Sequence, residues 1–130
     1  MDSHGFDVLV VEDDSTINSL IGAYVELAGM TYRRALDGRE AVRQTQQKVP
    51  QAIILDVMLP DTDGFQICRQ MKQDFRTQGV PVVMLTALTD EASRQRGVDS
   101  GADEYLHKPF DPDRLLEVLK VLAARNGRLA

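Results

Sequence analysis

Cysteine is nearly absent from this chain: Cys68 is the only one among 130 residues. No internal disulfide can form, so a reducing compartment, the cytoplasm, is the expected location. Cys68 itself reads as a small apolar residue on a helix rather than a redox centre. Long apolar runs are lacking too. No stretch approaches the ~20 residues that span a bilayer, and residues 1–5 show no basic segment followed by an apolar one. Neither a membrane anchor nor a secretion signal is expected. A basic surplus is also missing, because 15 lysines and arginines stand against 20 aspartates and glutamates, for a formal net charge of −5. That balance argues against direct nucleic-acid binding. Nor is there a glycine-rich phosphate loop of the Walker or dinucleotide type. Asp61-Thr62-Asp63-Gly64 fails as a calcium loop: with Gly64 sixth, Leu59 falls first and Gln70 twelfth, where acids are required. His4 and His107 have no metal-ligand spacing and read as surface residues.

What is present is a regular alternation. Short apolar runs at residues 6–11, 52–55 and 80–85 have the composition of buried parallel strands. Residues 31–35 are more polar, with Arg33 and Arg34 inside them, as suits an edge strand. Residues 104–107, resting on Tyr105 and Leu106, complete the set. Between them the pattern predicts helices. Over residues 15–28 the apolar positions Ile17, Leu20, Ile21, Tyr24, Val25 and Ala28 share a face, and Gly29 is placed to end the helix. Shorter helices are expected at residues 38–47, 64–73 and 91–100. A last one follows Pro112, with Leu115, Leu116, Leu119 and Leu122 on its inner face. Five strand–helix units of this length predict one α/β domain across residues 1–130, its core spanning about 6–125. The expected fold is a doubly wound, five-stranded parallel sheet in the flavodoxin-like order 2-1-3-4-5.

In such a sheet ligands bind beyond the carboxyl ends of the strands, beside the point where strand order reverses. Here those ends carry Glu12-Asp13-Asp14 after strand 1, Asp56 after strand 3, Thr86 after strand 4 and Lys108 after strand 5. Strands 1 and 3 are neighbours in the predicted order, so their acids should meet. Asp14 reads as a helix cap. Clustered carboxylates repel one another unless a hard cation lies between them. Mg²⁺ suits the set, because it accepts one or two carboxylates and still leaves room for phosphoryl oxygens; Mn²⁺ would substitute. Lys108 adds a movable positive charge, and a cis bond to Pro109 would aim it inward. The chemistry that fits is phosphoryl transfer onto the Asp56 carboxylate.

Together the segments Val-Val-Glu-Asp-Asp (10–14), Ile-Leu-Asp-Val-Met-Leu-Pro-Asp (54–61), Leu-Thr-Ala (85–87) and Gly-Ala-Asp-Glu-Tyr-Leu-His-Lys-Pro-Phe (101–110) resemble a response-regulator receiver domain. The resemblance runs from Phe6 to Arg125. It implies that Asp56 accepts a phosphoryl group from a histidine kinase or phosphotransfer protein. Asp13 would bind the metal directly, Glu12 through water, and Asp56 and the Met58 backbone carbonyl would complete the protein ligands. Lys108 would pair with the acceptor carboxylate, and Thr86 would bond the phosphoryl oxygen while Tyr105 turns inward. Met58 and Leu88 stand where the family tunes access of the attacking water. The implied protein is a switch that catalyses its own phosphorylation and dephosphorylation, not an enzyme turning over an external substrate. A downstream protein or a detached output domain would read its state. Receivers with winged-helix outputs often dimerise through the face of helix 4, strand 5 and helix 5. The resemblance implies that this dimer is disfavoured here: Arg114 and Glu117 reverse the usual signs, while Arg94, Asp103 and Glu104 keep them. The alternative, a hydrolase of the haloacid-dehalogenase type, expects an Asp-x-Asp after the first strand. This chain has Glu-Asp-Asp there and no cap domain.

Overall fold

Three of the five strands are buried along their whole length, and their apolar side chains decide the architecture. In the computed structural model, which describes residues 5–87 and 91–128, these are β1 (Asp7–Val11), β3 (Ala52–Asp56) and β4 (Val82–Thr86). The edge strands are β2 (Thr31–Ala35) and β5 (Glu104–His107), and both are only partly covered. His4 and Leu88 lie outside the described residues. All pairings are parallel and the order is β2-β1-β3-β4-β5, the expected flavodoxin-like topology.

Because side chains alternate along a strand, the sheet feeds two cores. Val8, Val10, Ile54, Val83 and Leu85 pack with Ile21 and Val25 of α1 (Ser15–Leu27) and with Leu115, Leu119 and Leu122 of α5 (Pro112–Arg128). Leu9, Val11, Ile53, Leu55 and Met84 pack on the other side with Ala41 of α2 (Gly38–Gln47) and with Phe65, Cys68 and Met71 of α3 (Gly64–Gln73). The remaining helix, α4 (Glu91–Ser100), lies against α3 and buries little more than Gly97 and Ser100.

Asp14, Asp37 and Asp63 cap α1, α2 and α3 by accepting the backbone N–H three residues on, at 3.0, 2.8 and 3.0 Å. Such caps satisfy donors that the helix itself leaves open. Gly29 takes a φ of +82° after α1, the left-handed turn that ends a helix.

Two helix faces differ from expectation. Leu20 is 47% exposed, because the buried stripe of α1 runs through Asn18, Ile21, Gly22 and Val25; at about 100° per residue Leu20 lies nearly opposite. On α5, Val118 is buried and Leu116 only half so, since Leu116 sits at the flank of the stripe. Cys68 is buried on α3, its thiol 3.3 Å from the Ser100 carbonyl oxygen, and burial pushes its pKa up.

Candidate functional site

The parallel register brings the five strands' carboxyl ends to one rim. Val11 pairs with both Ala35 and Leu55, so Glu12 and Asp56 leave adjacent strands side by side. Thr86 pairs with His107, and the Lys108 N–H then donates to the Thr86 carbonyl at 2.8 Å. This carries Lys108 over the end of the sheet, and the peptide joining it to Pro109 is cis.

The acids converge. Glu12, Asp13 and Asp56 each offer a carboxylate oxygen, all within 4.8 Å of one another. Glu12 and Asp56 are buried and Asp13 is exposed. The Lys108 ammonium donates to Glu12 Oε1 at 2.5 Å and to Asp56 Oδ2 at 2.9 Å. Three carboxylates against one ammonium leave an excess of two negative charges. Partial desolvation and the neighbouring Glu12 push the Asp13 pKa up. Burial alone would lower that of Lys108, but its two carboxylate partners outweigh this and hold it above the ordinary range. An oxygen-only donor set with surplus negative charge fits a hard divalent cation.

The loop after Asp56 is folded back on it. The Met58 N–H reaches Asp56 Oδ1 at 3.2 Å, and the Met58 side chain is exposed. Gly64 opens α3 directly on the Asp56 carbonyl, where any Cβ would overlap the oxygen. Thr86 is buried, and beside it a cleft of about 290 Å³ opens between Phe65, Val98 and Tyr105. Tyr105 lies over Gly97 of α4, its hydroxyl oxygen buried with no hydrogen-bond partner among the described residues.

Two residues that the sequence reading passed over shape the site. Asp61, given no role of its own by the sequence, accepts the N–H groups of Gly38 and Arg39 at 2.8 and 2.9 Å, which hold its carboxyl below the usual range. It ties the loop after Asp56 to the start of α2. Asn18, fully buried in α1, bonds backbone carbonyls at the ends of β1 and β2. Its signal was available: a polar residue on an otherwise apolar stripe.

On the α4–β5–α5 face, Arg114 is engaged within the chain, 3.3 Å from Glu104 and 3.3 Å from Glu117. Asp103 pairs with Lys72 at 3.0 Å, and Arg94 stands 3.9 Å from Glu91. Among the described residues, no helix is long and apolar enough to cross a membrane.

Comparison with known proteins agrees with this geometry. A family profile described as response regulator receiver domain matches residues 8–120. The transcriptional regulatory protein GltR of Pseudomonas aeruginosa is 42% identical over 128 residues, covering 96% of this chain and 52% of GltR. The DNA-binding dual master transcriptional regulator RpaA of Synechocystis is 40% identical over 122 residues, covering 94% of this chain and 51% of RpaA. The chain thus spans about half the length of these relatives. Among solved structures, a putative response regulator from Chloroflexus aurantiacus superimposes with a TM-score of 0.86 at 37% identity, covering 92% of this chain and 98% of that one. The Vibrio cholerae chemotaxis protein CheY4 gives 0.84 at 32% identity, covering 91% and 98%.

Proposed function

The chain belongs to the response regulator receiver domain family, and from that premise we propose that Asp56 takes a phosphoryl group from the phosphohistidine of a kinase or phosphotransfer protein. The observation that carries this is the meeting of Glu12, Asp13 and Asp56 within 4.8 Å, with Lys108 bonded to two of them. An Asp56 carboxylate oxygen forms a bond to phosphorus as the P–N bond breaks and its electron pair returns to the imidazole. The transition state is loose, so the site contributes mainly position and charge. Lys108, already seated on the carboxylate, meets the negative charge that arrives. Glu12, Asp13, Asp56 and the Met58 carbonyl would hold Mg²⁺, or Mn²⁺ in its place, and the bound ion supplies charge neutralisation of the phosphoryl oxygens.

Phosphorylation adds about −1.5 to −2 charges at Asp56. We read Thr86 as the hydroxyl that follows the new oxygens and Tyr105 as the ring that moves into the cleft behind it, biasing a two-state face made by α4, β5 and α5. The domain acts as a switch on itself rather than as an enzyme with an external substrate. We place it in the cytoplasm and assign output to a downstream protein or a separate domain. Transcriptional regulation, named for GltR and RpaA, would belong to length that this chain does not cover.

Incubation with acetyl phosphate and Mg²⁺, followed by intact mass, tests the acceptor. The unmodified protein gains one phosphoryl group and Asp56→Asn gains none; an equal gain in both would refute the assignment.

The ion pairs of Arg114 support a further reading. Its partners Glu104 and Glu117 are already occupied within the chain, and a two-fold dimer through this face would set like charges together. The protein is expected to elute as a monomer from size exclusion with beryllofluoride and Mg²⁺. A beryllofluoride-dependent dimer lost on Arg94→Glu would contradict this.

A further inference from the structure

Asn18 stands one turn inside α1 with no exposed surface. Its side-chain nitrogen lies 3.2 Å from the Val10 carbonyl oxygen, 3.0 Å from that of Glu12 and 3.1 Å from that of Ala35. An amide NH₂ has two hydrogens, so three acceptors share them. On its other side Asn18 Oδ1 accepts the hydroxyl of Tyr32, whose oxygen is also 3.2 Å from the Asn18 carbonyl. Tyr32 reaches this position only because α1 has Gly22 beneath the ring, where a Cβ would overlap it.

These contacts lie where β1 and β2 part. The ladder ends at the pairing of Val11 with Ala35, and the Asn18 amide spans the gap just beyond. Glu12 is consequently held from four directions: its N–H donates to the Ala35 carbonyl at 3.1 Å, its own carbonyl accepts from Asn18, and its two carboxylate oxygens accept from Asp14 N–H at 3.2 Å and from Lys108. Packing does not require an amide at position 18. Ile21 and Val25 fill the rest of the same stripe, and a buried amide destabilises the fold unless its bonds are made. The gain is directional: an apolar side chain fills space but cannot fix where a carbonyl points.

We propose that Asn18 is a positioning residue for the acid pair, setting the backbone from which Glu12 and Asp13 present their oxygens to a divalent cation. The inference rests on reading Glu12, Asp13 and Asp56 as the metal pocket. Tyr32 is its second member, since its hydroxyl orients the amide.

The test compares Asn18→Leu and Tyr32→Phe with Leu122→Ala, a core truncation at the opposite end of the sheet beside Gln51 and Pro81. Mg²⁺ affinity is measured by calorimetry, thermal midpoint without metal, and amide hydrogen exchange at Glu12 and Asp13 without metal. Residues that orient metal ligands typically change affinity about 10-fold or more when removed. Asn18→Leu is therefore expected to weaken Mg²⁺ binding by about 10-fold and Tyr32→Phe by less. In both, Glu12 exchange should quicken. Leu122→Ala should lower the midpoint and leave affinity unchanged. Should Asn18→Leu fail to fold, Tyr32→Phe decides. Unmodified affinity and exchange in the position-18 and position-32 variants would overturn the proposal while leaving the metal pocket intact. No Mg²⁺ binding by the unmodified protein would instead overturn the pocket reading.

Discussion

At each edge of the sheet a tyrosine covers a glycine: Tyr32 of β2 lies over Gly22 of α1, and Tyr105 of β5 lies over Gly97 of α4. The two contacts are built alike and finished differently. The Tyr32 hydroxyl is bonded to Asn18 on a helix that buries Ile21 and Val25. The Tyr105 hydroxyl is buried with no hydrogen-bond partner among the described residues, beside an open cleft and a helix that buries little beyond Gly97 and Ser100. One contact is a fastening, and the other can be released at small cost. The edge beside the acid pair is tied down by a hydrogen bond, while the edge that would report phosphorylation is loosely held. Elements that move must come from the less stable part of a fold.

The comparison breaks most visibly at the glycines. Gly22→Ala forces a methyl into a ring that cannot swing without losing its bond to Asn18, so a loss of about 1–3 kcal/mol is expected in urea unfolding. Gly97→Ala meets only an untied ring end, and the loss should be under about 1 kcal/mol, with Tyr105 turned outward. Equal losses would erase the distinction. Removing the hydroxyls sharpens it further: Tyr32→Phe should lose about 0.5–1.5 kcal/mol, one hydrogen bond's worth, while Tyr105→Phe should change stability by less than that. The smallest effect is at alkaline pH. Burial pushes both phenols above their ordinary value of 10.0. The folded state therefore holds those protons more tightly than the unfolded one, so stability is intact below about pH 10 and falls as pH rises beyond it. A Tyr32→Phe, Tyr105→Phe double variant should show a shallower decline when unfolding is followed from pH 9 to 11.

Strand order and the rim were legible because they follow from chain-wide regularities. Runs such as Ile53–Leu55 recur at even spacing, and polar residues stand directly after them. Even β5, read from Tyr105, Leu106 and its place in the alternation, has its expected limits. What escaped depended on how pieces meet. Leu20 satisfies helical spacing, but the stripe of α1 is centred on Asn18 and Gly22 by the tyrosine that arrives from β2. Asp61 looked like loop chemistry because its partners, Gly38 and Arg39, are more than twenty residues away. Asn18 showed locally only as a polar residue on an apolar stripe, while its acceptors, spanning Val10 to Ala35, did not show at all. Local patterns predict elements well; the partners of side chains that stitch distant backbone together have no local signature.

The bond from Lys108 to Glu12 joins residues 96 positions apart. The acids at residues 12 and 13, the acceptor at 56 and the ammonium at 108 come from three separate stretches of chain. During synthesis no growing chain shorter than 108 residues holds the complete set, because the ammonium follows β5. A chain stalled or truncated before β5 lacks the Lys108 ammonium and so has no finished pocket. A complete pocket thus requires the domain to be intact through β5, so a copy cut short of it would lack the charge proposed to meet the phosphoryl group.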